Sequence, residues 1–181
     1  MKKRFLIVSI LVLLMVSCEE KDTTFLITND SIGKLNKTSL ARDLELIYAE
    51  DSIVKDTFNS KLGPAYQKVK VFEKGGAHLL TLTPSEDSIP VIENIRVFDP
   101  RFNTDTGIGL KSTFKDIKAN YSIKKIITTL NSVVLFVKES DIYFTINKEE
   151  LPSNLRFGTN TIEEVQIPDD AKVKYLMIGW N

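Results

Sequence analysis

The residue that first suggests chemistry is His78, the only histidine of the chain, because an imidazole changes charge near neutral pH and can carry a proton. It follows Gly75-Gly76-Ala77, where the local pattern is a hairpin and a partly exposed strand residue. A nucleophile for it would have to be a serine such as Ser85 or Ser88, yet no Gly-x-Ser-x-Gly elbow is written in the chain. Three carboxylate pairs also stand out: Glu149-Glu150, Glu163-Glu164 and Asp169-Asp170. Glycoside hydrolysis needs two carboxyls facing each other across a cleft. Neighbours on a strand point to opposite faces, so these pairs read as solvated surface. A zinc site needs several converging ligands, and one histidine with one cysteine does not supply them. Neither a phosphate-cradling glycine loop nor an EF-hand loop is present. The chain is therefore expected to be no enzyme and to hold no metal and no cofactor. The alternative is a small-ligand receptor or enzyme with a dispersed site near His78.

Cys18 is the other reactive candidate, and its surroundings give it a different role. Met1-Lys2-Lys3-Arg4 is a compact cationic start, and residues 5–16 are apolar except for Ser9. That run is about a dozen residues, against roughly 20 needed to cross a bilayer as a helix; it reads as a secretory signal over residues 1–17. Met15-Val16-Ser17-Cys18 resembles a bacterial lipobox, with Met15 standing where leucine is usual. The resemblance implies that Cys18 is lipidated and tied to a membrane by its acyl chains. As the only cysteine it can form no intrachain disulfide, although an oxidising envelope would permit one.

Glu19-Glu20-Lys21-Asp22 opens an acidic tether, residues 18–24, which resembles the surface-export signal of lipoproteins in one phylum of Gram-negative bacteria. The expected location is the outer membrane, with the periplasmic face and the cell surface both open. Losing Lys2, Lys3 and Arg4 takes three charges from 24 basic residues against 24 acidic ones. The resulting slightly negative chain lacks the basic stripe a nucleic-acid partner requires. The expected partners are the membrane, through lipid on Cys18, and an envelope protein. About 160 residues remain after the leader, one domain's worth.

That domain reads as a duplication with an offset of about 70 residues. Residues 44–55 align with 114–125, sharing Ile, Ala, Ser, Ile and Lys, and residues 92–99 align with 162–169. An Ile-Gly precedes each first block, Ile32-Gly33 and Ile108-Gly109. Thr38 or Ser39 would cap a first helix carrying Leu40, Leu44 and Ile47. Thr113-Phe114-Lys115-Asp116 is a capping-box pattern for a second, with Phe114, Ile117 and Tyr121 on one stripe. Hairpins follow, one turning at Gly75-Gly76 and one at residues 138–141. The Ile-Glu-x-[Ile/Val] segments at 92 and 162 would each add a third strand, and residues 173–180 a closing one. Residues 123–130 fit helix by spacing and strand by β-branching.

The expected fold is α+β: one domain over residues 25–181, built of repeats at about 25–100 and 101–181. Each repeat is a helix–hairpin–strand unit, and together they give a mostly antiparallel sheet with helices on one face. The stretch Ile108-Gly109-Leu110-Lys111-Ser112-Thr113-Phe114-Lys115-Asp116-Ile117 resembles a Gly-x-[Ser/Thr]-x-x-[Asp/Glu]-[Val/Ile] helix start. It is found in the tandem-repeat class of β-lactamase inhibitory protein and the small accessory lipoprotein of the outer-membrane β-barrel assembly machine. The resemblance implies a non-catalytic protein-binding or envelope-scaffold role. The candidate contact is the inter-repeat loop, where Arg101 and Phe102 are of interface-anchor type. Asp-Thr or Asp-Ser motifs at Thr23, Ser31, Ser52 and Ser88 resemble O-glycosylation acceptors of the same phylum.

Overall fold

A computed structural model describes residues 22–58 and 66–180; the leader 1–17 and the lipidation residue Cys18 lie outside them. Alternation of buried and outward-facing residues sets the main sheet. In Val133, Leu135 and Val137 one face is buried, while Val134 and Phe136 between them point to the other. Eight such strands pair antiparallel throughout. They are β4 (Ser52–Phe58), β5 (Tyr66–Phe72), β6 (His78–Pro84), β7 (Ile92–Val97), β9 (Ile123–Thr128), β10 (Ser132–Val137), β11 (Ile142–Asn147) and β12 (Val173–Gly179). Their order is β4-β5-β6-β7-β12-β11-β10-β9. Two four-strand meanders therefore meet at β7 and β12, where Leu176 faces Val97 and Ile178 faces Ile95.

The fold is α+β and sheet-dominated. A helix precedes each meander: α1 (Leu44–Ile47) and α2 (Phe114–Asn120). Both turn apolar residues, Leu44 and then Phe114 and Ile117, into one core cluster with the inner sheet row. A second sheet of short strands joins that cluster through Ile27, Ile32 and Leu35. It runs β3-β2-β1-β8, from β1 (Leu26–Ile27), β2 (Ser31–Ile32), β3 (Leu35–Asn36) and β8 (Asn103–Thr104). Helices and small sheet thus lie on one side of the large sheet.

The repeat is present, with changed boundaries. Ser52-Ile53 and Ser122-Ile123, aligned in the sequence, stand at the start of each meander, where β4 begins at Ser52 and β9 at Ile123. The ambiguous residues 123–128 are a strand. The second block fails: residues 162–169 form no strand but a 3-10 turn, Glu164–Gln166, with the Glu163 amide donating to Gln166 Oε1 at 2.9 Å. Ile162 and Ile167 are buried while Val165 is exposed, and that spacing is not the period of two a strand needs. The true counterpart of β7 is β12.

The first helix is also shorter than its pattern suggested, and neither Thr38 nor Ser39 caps it. Leu40 is extended and bridged to Val91, and Ser39 Oγ instead accepts from the Asn36 amide at 3.1 Å. The second capping box is formed, with Thr113 and Asp116 satisfying each other's amides. Both glycines of the paired Ile-Gly motifs lie where a Cβ would meet a backbone carbonyl oxygen. At Gly33, where φ is also positive at +52°, a Cβ would collide with that of Thr24, and at Gly109 it would come within 2.6 Å of that of Phe102.

Candidate functional site: the uncovered sheet face

Because the helices cover the inner face of the large sheet, the outer row of every strand is left to solvent. Register carries one row across all eight strands: Val54, Lys70, Thr81, Arg96, Met177, Tyr143, Phe136 and Lys125 are partners in succession. The next row holds a stack of rings. Phe72 and His78 lie 4.7 Å apart at 25°, and His78 and Phe98 3.9 Å apart at 18°. The Arg96 guanidinium continues it, 4.7 Å from the Phe98 ring centre and 3.8 Å from that of Tyr175. Across β12, Phe136 stacks on Tyr143 at 5.2 Å, and Asn94 donates to the Tyr143 hydroxyl at 2.6 Å.

Arg96 is the chemically open member of this array. Its Nε is buried with no hydrogen-bond partner, and among the described residues no carboxylate lies within ion-pair distance of it. A buried donor left unpaired is costly, so the position favours an incoming acceptor. The array was not read from the sequence, because the pattern showed only which residues alternate. It takes the register of four successive strands to line up Phe72, His78, Phe98, Arg96 and Tyr175.

His78 is the first residue of β6 and is half-buried within the stack, in keeping with the partly exposed strand position read from the sequence. Its Nε2 lies 3.0 Å from Thr81 Oγ1 and 3.2 Å from the Leu80 carbonyl oxygen. Desolvation by the flanking rings lowers its pKa below the ordinary 6.5, and the charges of Lys70 and Arg96 lower it further, against the Leu80 carbonyl. The unfolded chain then binds a proton more readily than the folded one. Stability is full above about pH 6.5 and falls as pH drops through the lower folded value. The expected result is a thermal midpoint that declines as pH falls below about 6.5. The decline should flatten in His78→Gln, and an equal decline in the variant would contradict the assignment.

The inter-repeat loop is built differently from the expectation. Phe102 is 3% exposed, part of the core, with its ring edge-on to Phe25 at 5.1 Å; it cannot serve as a projecting anchor. Arg101 is already spoken for. It donates to Asp99 at 3.0 and 2.7 Å and to Glu73 at 3.0 and 2.8 Å, and it lies 4.1 Å over the Phe25 ring. These hydrogen bonds pull both carboxylates below their usual range. Asp99 also accepts from the Arg101 amide at 2.9 Å. The loop is braced against the first repeat through Glu73, Asp99 and Phe25.

The remaining candidates are dispersed. A cleft of about 580 Å³ opens between Phe25, Tyr48 and Glu73, and its polar rim includes the Lys34–Asp51 pair at 2.9 Å. All six members of the three carboxylate pairs are exposed; of these, Asp169 bonds Lys118 at 2.7 Å. Ser85 Oγ accepts from the Val91 amide at 3.3 Å. Thr23, Ser52 and Ser88 are exposed, whereas Ser31 is half-buried in β2 with its hydroxyl 2.9 Å from Thr28 Oγ1. Among the described residues no three His, Cys, Asp or Glu side chains gather as metal ligands, and no helix is long and apolar enough to cross a membrane.

No family model matches the chain, and no curated protein matches it in sequence. Its fold is similar to the crystal structure of the uncharacterized protein yfeY from Escherichia coli. The TM-score is 0.55 at 15% sequence identity, covering 84% of this chain and 98% of that one. At that identity the likeness speaks for the fold alone.

Proposed function

We propose that the protein is a lipid-anchored outer-membrane lipoprotein whose domain binds another envelope protein through the uncovered sheet face, without catalysis. The observation that carries the reading is the ring stack ending on Arg96 in the middle of that face. Aromatic residues and arginine are the types that concentrate binding energy at protein interfaces. Seven spacings of about 4.8 Å make the face about 34 Å wide. With strands of about 20 Å this gives roughly 700 Å², near the ~800 Å² each partner buries in an ordinary complex. The resemblance carried by residues 108–117 adds to the reading, since that class binds proteins.

The partner that suits the face presents apolar side chains and a carboxylate. The carboxylate would meet Arg96, and Lys70, two strands away in the same row, adds to the positive field, offset by its pair with Asp56 at 2.9 Å. Chemical cross-linking of intact envelopes, followed by isolation of this chain, tests the reading. One partner species should be recovered with the wild type and lost with substitutions on the face. The anchor is tested separately. Cys18→Ala should abolish lipid labelling and move the protein out of the membrane fraction, and unchanged attachment would refute it.

A further inference from the structure

A second surface, away from the ring stack, combines features that the protein-binding reading does not use. At one corner of the second meander the turn 129–131, the end of β11 and the loop 152–158 enclose a cleft of about 600 Å³. Three of its lining residues are cations, Lys148, Arg156 and Lys174, against one carboxylate, Glu149. Glu149 accepts from Asn147 Nδ2 at 2.9 Å and keeps its charge, so positive charge remains in excess in the cleft. Among the described residues no carboxylate lies within ion-pair distance of any of the three cations. Lys148 is only 3% exposed, and its ammonium donates to the Gly158 carbonyl; a buried charge is ordinarily paired. The Arg156 Nε donates to the Leu151 carbonyl at 2.8 Å, which holds the guanidinium at the cleft.

The rim of this cleft is apolar and projects outward. Phe157 is 85% exposed and Leu130 66% exposed, and both line the cleft beside the cations. Isolated exposed apolar residues are ordinary. Here two large ones flank an unneutralised basic hollow, which is how an interfacial anchor is built: apolar groups enter the acyl boundary while cations meet anionic headgroups.

We propose that this corner docks on an anionic phospholipid surface. The headgroup phosphate would sit against Lys174 and Arg156, with Phe157 and Leu130 inserted between lipids. The tether between Cys18 and Thr24 spans about 20 Å when extended, so an acylated chain would keep the domain within reach of the bilayer. Docking would then fix which way the sheet face points. The site is independent of the sheet-face reading.

The test uses the chain from residue 18 with Cys18→Ser, so that neither an acyl group nor the cationic and apolar leader 1–17 contributes, with vesicles of phosphatidylcholine alone or with about 30% phosphatidylglycerol. The expected result is co-sedimentation at least about tenfold stronger with the phosphatidylglycerol vesicles, and release by salt. Phe157→Ser with Leu130→Ser, and separately Lys174→Glu, should each return it to the phosphatidylcholine level. Both changes are at exposed positions, and unchanged thermal midpoints show that the fold is kept. Equal sedimentation with both vesicle types would overturn the proposal. So would binding that survives both variants, or recruitment by inorganic phosphate alone with none to vesicles.

Discussion

Phe114→Ala is expected to cost about 3–5 kcal/mol of folding stability, the range for emptying a buried phenylalanine site. The ring is fully buried at the start of α2 and belongs to the cluster that joins the helix to the inner row of the sheet. Its backbone is fixed on both sides. The Thr113 cap precedes it, and its amide donates to the Ala171 carbonyl at 2.8 Å, so the chain cannot easily collapse into the space. A domain of this size has about 5–15 kcal/mol in total, so the loss is a large fraction of it. Urea denaturation should show a much lower midpoint, with Lys115→Ala, an exposed neighbour, close to wild type. A midpoint unchanged by Phe114→Ala would mean that α2 does not pack on the sheet as described.

The second large effect concerns binding. Arg96→Gln together with Tyr175→Ala should weaken partner capture by at least about thirtyfold, since an interface anchor is worth about 2 kcal/mol or more. The pair removes the guanidinium with its unpartnered Nε and the ring 3.8 Å beneath it. Neither side chain is part of the buried core, so the fold should survive. Arg101→Ala offers the contrast. It removes the brace to Asp99 and Glu73 and should lower the melting temperature while leaving capture by the folded protein intact. Capture that depends on Arg101 and ignores Arg96 would return the contact surface to the inter-repeat loop.

The sequence was legible where local rules decide the outcome. Thr113 and Asp116 announce a capping box, Gly75-Gly76 a hairpin, and the polar residues 138–141 a second hairpin turn, and each is formed. Legibility ended where tertiary pairing overrode local pattern. Leu40 has the spacing of a helix residue but is drawn into a bridge with Val91, which leaves α1 a single turn. Residues 162–165 copy the letters of 92–95 without the strand, because Val165 faces solvent and Gln166 turns back to cap Glu163.

The surface was less legible than the core. Arg101 and Phe102 have the composition of interface anchors, yet one is consumed by carboxylates and the other by the core. The residues that remain open, Arg96 and the rings around it, look unremarkable in sequence because they lie on separate strands. Only antiparallel register brings β5, β6, β7 and β12 together at that point.

The most direct test of the sheet-face account is site-specific photo-cross-linking in the living envelope. A photoreactive residue would replace Val54, Thr81 or Ile127 on the face, or Leu46 or Val165 on exposed positions elsewhere. The account predicts one shared protein adduct from the three face positions and none of that adduct from Leu46 or Val165. An adduct from Leu46 or Val165 with none from the face would contradict it.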